Sequence, residues 1–301
     1  MKKAELIAPH TGIPSFYKAP VVDINKVQKG DAVIAGVPMD HGIVLTRTGT
    51  RYGPRAIREA SLFYRAVQEG ASEKTSVNVQ TKKAQRLKER IKLVDIGDIP
   101  IYPQDIKQTS ESITEDVSFL VKNQTLPVLL GGDHYITYPA FEGLCKGFSE
   151  LKGNPKIGHI HIDSHTDFRD SYAGLGKFNH GTSVRRLSEN PMIEYKNIAW
   201  VGLNGNVLDS DIYNIYKKEG LKMITSGNIV DNGIESAIVE AVEAAGDGTD
   251  AVYLSIDIDV VDTAYAPGTG IPVFEGITSK EFLIATEILS RYEIIKAIDL
   301  C

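Results

Sequence analysis

Short, nearly continuous apolar runs recur along the chain, separated by longer stretches in which apolar residues return every three or four positions. Runs at 31–37, 91–95, 126–130, 157–163, 197–203, 221–225, 251–257 and 294–300 predict about eight strands. Because apolar residues fill both parities of these runs, the strands suit a parallel sheet covered on both faces. Helical spacing predicts helices over 53–62, 105–123, 134–146, 234–245 and 279–290. The last of these opens on Thr278-Ser279 with Glu281 close behind, near to a capping box. Two stretches interrupt the rhythm. Residues 68–90 are polar and Lys-rich and predict a surface loop or short helix; 170–180, with Gly174, Gly176 and Asn179, predict a long loop after the fourth strand. The rhythm resumes after each, so 1–301 reads as one α/β domain without internal repeats.

Composition sets limits on function. The 33 Lys+Arg against 39 Asp+Glu give a net charge of −6, the wrong sign for a chain that displaces counterions from nucleic acid. No apolar run reaches the ~18 residues of a membrane span, and the N-terminus lacks the apolar core of a signal peptide. Two cysteines, Cys145 and Cys301, make no disulfide framework and fit a reducing cytoplasm.

Five of the seven histidines fall between His134 and His180, grouped after predicted strands, where open α/β sheets bind ligands. The first segment, Gly131-Gly132-Asp133-His134, sets an imidazole after a glycine turn that lets the backbone approach something closely. The second alternates: His159, His161, Asp163, His165 and Asp167 share one parity, and Ile160 and Ile162 take the other. With the strand ending near Asp163, the side chains of Asp163, His165 and Asp167 converge, as divalent-cation ligands do. His159 and His161 lie deeper and read as packed, hydrogen-bonded histidines. The third segment places Asp257 and Asp259 on one face after an apolar strand, with Asp262 available to orient a ligand, ahead of a rigid Pro/Gly loop at 266–272. The six candidates His134, Asp163, His165, Asp167, Asp257 and Asp259 include four aspartates. One divalent cation leaves negative charge in excess, and two balance it. Mixed N/O ligation suits Mn²⁺ first, with Ni²⁺, Co²⁺, Fe²⁺ or Zn²⁺ as alternatives. A metal pair of this kind activates water for hydrolysis. A fourth segment, Phe178-Asn179-His180-Gly181-Thr182-Ser183, brings a further histidine able to shuttle protons.

Together GGDHYITYPA (131–140), HIDSHTDF (161–168), FNHGTSVRR (178–186) and SIDIDVVDTAYAPGTGIP (255–272), with 31–61 ahead of them, resemble the ureohydrolase family of arginase, agmatinase, guanidinobutyrase and formimidoylglutamase. The likeness spans about 31–300 and leans to the agmatinase and guanidinobutyrase branch. It implies a three-layer α/β/α, arginase-like fold with a central eight-stranded parallel sheet. It implies two metal ions, most often manganese, bridged by hydroxide. His134, Asp163, Asp167 and Asp257 match the ligands of one ion and Asp163, His165, Asp257 and Asp259 those of the other, so that Asp163 and Asp257 bridge. The implied reaction is hydrolysis of a guanidino compound to urea and an amine, with Asp167 orienting the nucleophile and His180 as proton donor. Tyr135, Asn179 and Phe274 are expected at the substrate. Bulky Tyr135 and Phe274 favour a short or tailless guanidino substrate.

Departures from the family pattern bear on activity. Tyr135 stands where serine is common, Ser164 where alanine is common, Thr263 where proline is frequent, and 273–276 differ from the usual continuation. The sequence ends at Cys301, where family members continue with a guanidinium-binding glutamate and a helix, so substrate binding is expected to be incomplete. That motivates an alternative, a non-catalytic metal-binding subunit dependent on a related second subunit. A one-metal deacetylase-like amidohydrolase is the other alternative, against which the six-ligand set argues. The family implies a homo-oligomer, trimer or hexamer.

Overall fold

The computed structural model describes residues 12–41, 47–69, 76–77, 84–85, 92–205 and 210–301. Eight strands form one parallel sheet: β1 (Asp31–Val37), β4 (Lys92–Asp98), β5 (Leu126–Gly131), β6 (Ile157–Ile162), β7 (Ile198–Leu203), β8 (Lys222–Thr225), β9 (Ala251–Ile256) and β10 (Ile295–Leu300). Their order is β4-β1-β5-β10-β9-β6-β7-β8. Each expected strand is present with its ends moved by a few residues; position 91 lies outside the described residues. In the stretch expected as loop or short helix, β2 (Ser76–Val77) and β3 (Ala84–Gln85) pair antiparallel. The rest of 70–91 is outside the described residues.

The helices are α1 (Gly53–Glu69), α2 (Ile106–Lys122), α3 (Thr137–Lys152), α4 (Ser183–Leu187), α5 (Ser210–Glu219), α6 (Ser226–Asn232), α7 (Ile234–Gly246) and α8 (Ser279–Leu289). Thus α1 runs past its expected end, and His134 begins a 3-10 turn ahead of α3. The capping box is present: Thr278 Oγ1 accepts from the Glu281 amide (3.2 Å), and Glu281 Oε2 accepts from the Thr278 amide (2.7 Å).

Strand parity divides the core into two layers. Tyr253, Trp200, Leu129 and Ala297 pack with Ile113, Val117, Phe141 and Leu144 of α2 and α3. Ile160, Ile162, Val252, Leu254 and Ile256 pack with Ile238, Ala241, Val242, Ala285 and Ile288 of α7 and α8. Burial on both sides explains the continuous apolar strands. The α2–α3 contact is close because glycines face it: a Cβ on Gly143 would lie 2.7 Å from Val117 Cβ. Among the described residues, no helix is long and apolar enough to cross a membrane.

Candidate metal centre

The carboxyl ends of β5, β6 and β9 deliver the cluster. After β5 the chain turns at Gly132, whose φ of 30° and close approach to the Val37 and Met39 carbonyls exclude a side chain. Asp133 Oδ1 accepts from the Tyr135 amide (2.9 Å), which starts the 3-10 turn and fixes His134 over the sheet end. His134 Nδ1 then lies 3.0 Å from Asp163 Oδ2, 3.2 Å from Asp167 Oδ2 and 3.1 Å from Asp257 Oδ2. These four side chains are the set expected for one ion.

The second set shares Asp163. His165 Nδ1 is 3.4 Å from Asp163 Oδ1 and 3.2 Å from Asp259 Oδ2. Local bonds preshape it: the His165 amide donates to Asp163 Oδ1 (2.6 Å) and the Ser164 hydroxyl to Asp259 Oδ1 (2.7 Å). Asp163 therefore faces His134 with Oδ2 and His165 with Oδ1, so that it stands between the two sets. Asp257 gives Oδ2 to the first set, while its Oδ1 accepts the Asp259 amide (2.9 Å). Of the two carboxylates expected to bridge, Asp163 is the one in contact with both imidazoles. Asp167 reaches the first set by a left-handed turn, φ 46°, uncommon outside glycine, and its carbonyl accepts the Val184 amide (3.0 Å) ahead of α4.

His159 and His161 are fully buried on the α3 side of the sheet. His161 stacks on His134 (centroids 4.8 Å apart) and sets Nε2 2.9 Å from Asp163 Oδ2. His159 packs among Phe141, Tyr253 and His161, and neither of its ring nitrogens makes a hydrogen bond, contrary to the expectation of a hydrogen-bonded side chain. Burial and the neighbouring His161 and His134 keep its pKa well below the ordinary imidazole value.

The electrostatics fit cations. Neither His134 Nδ1 nor Asp163 Oδ2 has a hydrogen-bond partner of acceptable geometry, although both are buried. Buried acids in this density require a counter-charge. Burial lowers the proton affinity of His134, but its contacts with Asp163, Asp167 and Asp257 overcome that and hold its pKa well above the ordinary value. Against the same desolvation, Asp163 and Asp259 push His165 up to about 12. Burial, then repulsion from Asp257 and Asp163, raises the Asp259 carboxyl well above its usual range. The imidazoles overcome burial at Asp163 and hold it well below. A point that attracts a proton this strongly attracts a divalent cation by the same charges.

The cluster opens into a cavity of about 550 Å³. His180 lines it, as expected, and its ring lies 6.4 Å from the Tyr172 ring centroid. The substrate contacts expected at Tyr135, Asn179 and Phe274 are not brought there. The Tyr135 ring turns into the α2–α3 layer and is 2% exposed, its hydroxyl 2.9 Å from Ser110 Oγ. Asn179 is buried as a helix cap, accepting from the Gly181 amide (3.2 Å). Phe274 is 79% exposed outside the cavity lining, its carbonyl accepting from Asn204. Outside the cluster the cavity lining includes Arg169, Tyr172, Asn204, Tyr213, Tyr216 and Asn228. No motif marks these residues; only the DFR triplet at 167–169 sets a cation beside a ligand in the sequence.

Hard carboxylates and imidazoles around one point, open to a cavity, define a hydrolase centre that works with divalent cations. Comparison with known proteins narrows the class. Residues 30–301 match the arginase family model, and the chain belongs to the arginase family. It is 33% identical over 251 residues to a guanidinobutyrase of Pseudomonas aeruginosa, covering 83% of this chain and 71% of that one. To a guanidinopropionase of the same organism it is 32% identical over 269 residues, 89% of this chain and 77% of the relative. The solved structure of proclavaminate amidino hydrolase from Streptomyces clavuligerus superposes with a TM-score of 0.76 at 26% identity, covering 97% of this chain and 89% of that chain. Enzymes of this family are amidinohydrolases that depend on two metal ions, and this chain is a hydrolase of guanidino compounds of that type.

Proposed function

We propose that the chain releases urea from a guanidino acid, a substrate with a guanidinium head and a carboxylate tail. The observation that carries this is the charge layout of the cavity. The acidic cluster opens into it, and Arg169 is the one Lys or Arg among the described lining residues. Apart from the cluster, the described lining holds a single carboxylate, Asp133, which is buried and caps Tyr135. Among the described lining residues outside the cluster and Asp133, a cationic tail such as that of agmatine finds no counter-charge, whereas Arg169 offers one to a carboxylate tail. The relatives named guanidinobutyrase and guanidinopropionase support the same class. With Tyr135 and Phe274 away from the cavity, the expectation of a tailless substrate loses its basis.

His134, Asp163, Asp167 and Asp257 would hold one cation and Asp163, His165 and Asp259 the other, manganese being the first choice for this donor set and nickel the alternative. When bound, the two cations supply Lewis-acid activation of water and stabilisation of the charge that develops on its addition. Asp167 accepts a hydrogen bond from the attacking water and orients it toward the planar guanidinium carbon. Water adds there, the bond from that carbon to the tail nitrogen breaks, and His180 supplies the proton that lets the nitrogen leave as an amine. Urea is the other product. A homo-oligomer, trimer or hexamer, completes the reading and is measured by sedimentation.

The test is urea release by protein loaded with Mn²⁺ or Ni²⁺, offered guanidinopropionate, guanidinobutyrate, agmatine, arginine and guanidine. The highest kcat/KM is expected for a guanidino acid. A preference for agmatine or guanidine overturns the substrate class. Two bound metals with no urea from any compound favours the partner-dependent subunit.

A further inference from the structure

Asp299 is the fully buried carboxylate on β10, and none of the described Lys or Arg side chains pairs with it. Its partners are hydroxyls. Ser255 Oγ donates to Oδ1 at 2.8 Å; Tyr253 Oη and Thr137 Oγ1 donate to Oδ2 at 2.6 and 3.0 Å. The Cys301 thiol is a weak further donor to Oδ1, at 3.8 Å. A carboxylate taken out of water with no cation beside it is costly, so its orientation calls for a reason. The shortest route from it to the His/Asp cluster runs through Ser255, whose Oγ lies 2.6 Å from His134 Nε2.

The direction of that last bond follows from counting hydrogens. A carboxylate only accepts, and Ser255 has one hydroxyl hydrogen. Thr137 Oγ1 also lies 2.9 Å from Ser255 Oγ, but its single hydrogen goes to Asp299 Oδ2; with the Ser255 hydrogen on Asp299 Oδ1, Ser255 Oγ is an acceptor toward His134, and Nε2 carries the proton. Nδ1 is then left with its lone pair directed at the point ringed by Asp163, Asp167 and Asp257. Left to itself, an imidazole nitrogen facing three carboxylate oxygens carries the proton and donates it to them. That tautomer closes Nδ1 to a cation.

We infer that Asp299, acting through Ser255, is a positioning residue that holds His134 in its Nε2–H form and so keeps one of the two cation sites open. The inference rests on the metal-centre reading above. Asp299→Asn tests it with almost no change of volume. The Asn amide can donate to Ser255 Oγ, which turns the serine hydrogen toward His134 Nε2 and moves the imidazole proton to Nδ1. The expected result is a loss of about 10- to 100-fold in affinity at one site, with bound Mn²⁺ falling from two toward one per chain at limiting metal. Ser255→Ala removes the relay by another route and serves if Asp299→Asn does not fold. Tyr253→Phe is the comparison: it takes an equally buried hydrogen bond from Asp299 but leaves the Ser255–His134 bond in its original sense. It is expected to bind both ions within about threefold of the unaltered protein. Imidazole ¹⁵N shifts of the Zn²⁺-loaded proteins read which His134 nitrogen keeps the proton, and are expected to show Nε2–H in the unaltered protein.

Undiminished binding of both ions by the Asp299→Asn and Ser255→Ala proteins overturns the inference. So does an equal loss in Tyr253→Phe, which would make the effect one of packing. An unaltered protein that binds no divalent cation refutes the metal-centre reading itself, and the positioning role with it.

Discussion

Replacing Arg169 by methionine removes the described cationic side chain of the cavity wall while keeping an unbranched stem. The guanidinium is held in place from below. Its carbon lies 4.8 Å from the Tyr172 ring centroid, and the Arg169 amide donates to the Gly181 carbonyl at 3.3 Å, beside His180. A charge-assisted hydrogen bond to a substrate carboxylate contributes about 1.5–3 kcal/mol. At ~1.4 kcal/mol for each tenfold, its loss lowers kcat/KM for a guanidino acid by roughly 10- to 150-fold. Guanidine, which has no tail, reports on the cluster alone and should change less than about threefold. Agmatine should improve, because a cation near its ammonium is gone. The assay is urea release under kcat/KM conditions with the same Mn²⁺-loaded preparations, and metal content is measured in parallel. Equal losses for guanidinobutyrate and guanidine would refute the assignment, since they would place the effect of Arg169 on the loop that carries His180 and not on the tail.

Three further outcomes test other parts of the structure. His180→Ala should retain both metal ions by elemental analysis and lose about 10²–10⁴ in kcat, as for removal of a general acid; a loss of metal instead would make His180 a structural element of the cluster. Arg58→Met should lower stability by about 3–5 kcal/mol in denaturant titration. Arg58 holds Asp95, 1% exposed, through two 2.9 Å bonds, and its loss leaves that carboxylate buried and unpaired; a change under about 1 kcal/mol would show Asp95 to be rehydrated. Stripping the metal should lower the melting temperature by about 4 °C per site at 100-fold excess over Kd, and the pH dependence should then change sign. The raised pKa values of His134, His165 and Asp259 mean that the metal-free fold binds protons its unfolded chain does not. Their contribution is complete below the unfolded values and fades as pH rises through the folded ones. Metal-free protein should therefore melt lower at pH 9 than at pH 6 in scanning calorimetry, while Mn²⁺-saturated protein, freed of proton competition, should gain over the same interval. The opposite order in the metal-free protein would mean that the cluster is not the dominant titrating unit.

The strands and the side chains of the His/Asp cluster were legible in the sequence because both obey short-range rules. Buried parallel strands are apolar on both parities, and ligands at strand ends keep the spacing of two seen at Asp163, His165 and Asp167. The elements that escaped include α4, α5 and α6 and the two-residue strands β2 and β3, all of them short. Residues next to a ligand in sequence proved poor guides to the cavity. Tyr135 follows His134 through a 3-10 turn, and one step there sends the ring into the core instead of the opening. Asn179 precedes His180 as asparagine often precedes a helix, to cap it. Arg169, Asn204 and Tyr213 line one cavity only because segments distant in sequence, two loops and α5, converge, which no local pattern encodes. Asp299 could have been found: in Ile295–Leu300 the buried parity reads Ile, Ala, Asp, and an acid on the buried face of a central strand asks for a reason.

The position of β10 has a consequence for how the molecule is made. It is the last of the eight strands in chain order, yet it lies between β5 and β9, pairing Asp299 with Leu129 on one side and with Ser255 on the other. As the chain leaves the ribosome, β4-β1-β5 and β9-β6-β7-β8 can each assemble as an open-edged half-sheet, with His134 on one fragment and the acidic loops on the other. Only the arrival of the final strand zips the halves together. Until then each half exposes a long apolar edge of the sort that recruits chaperones. The cluster of His134 with Asp163, Asp167 and Asp257, drawn from both halves, comes together only at that closing step.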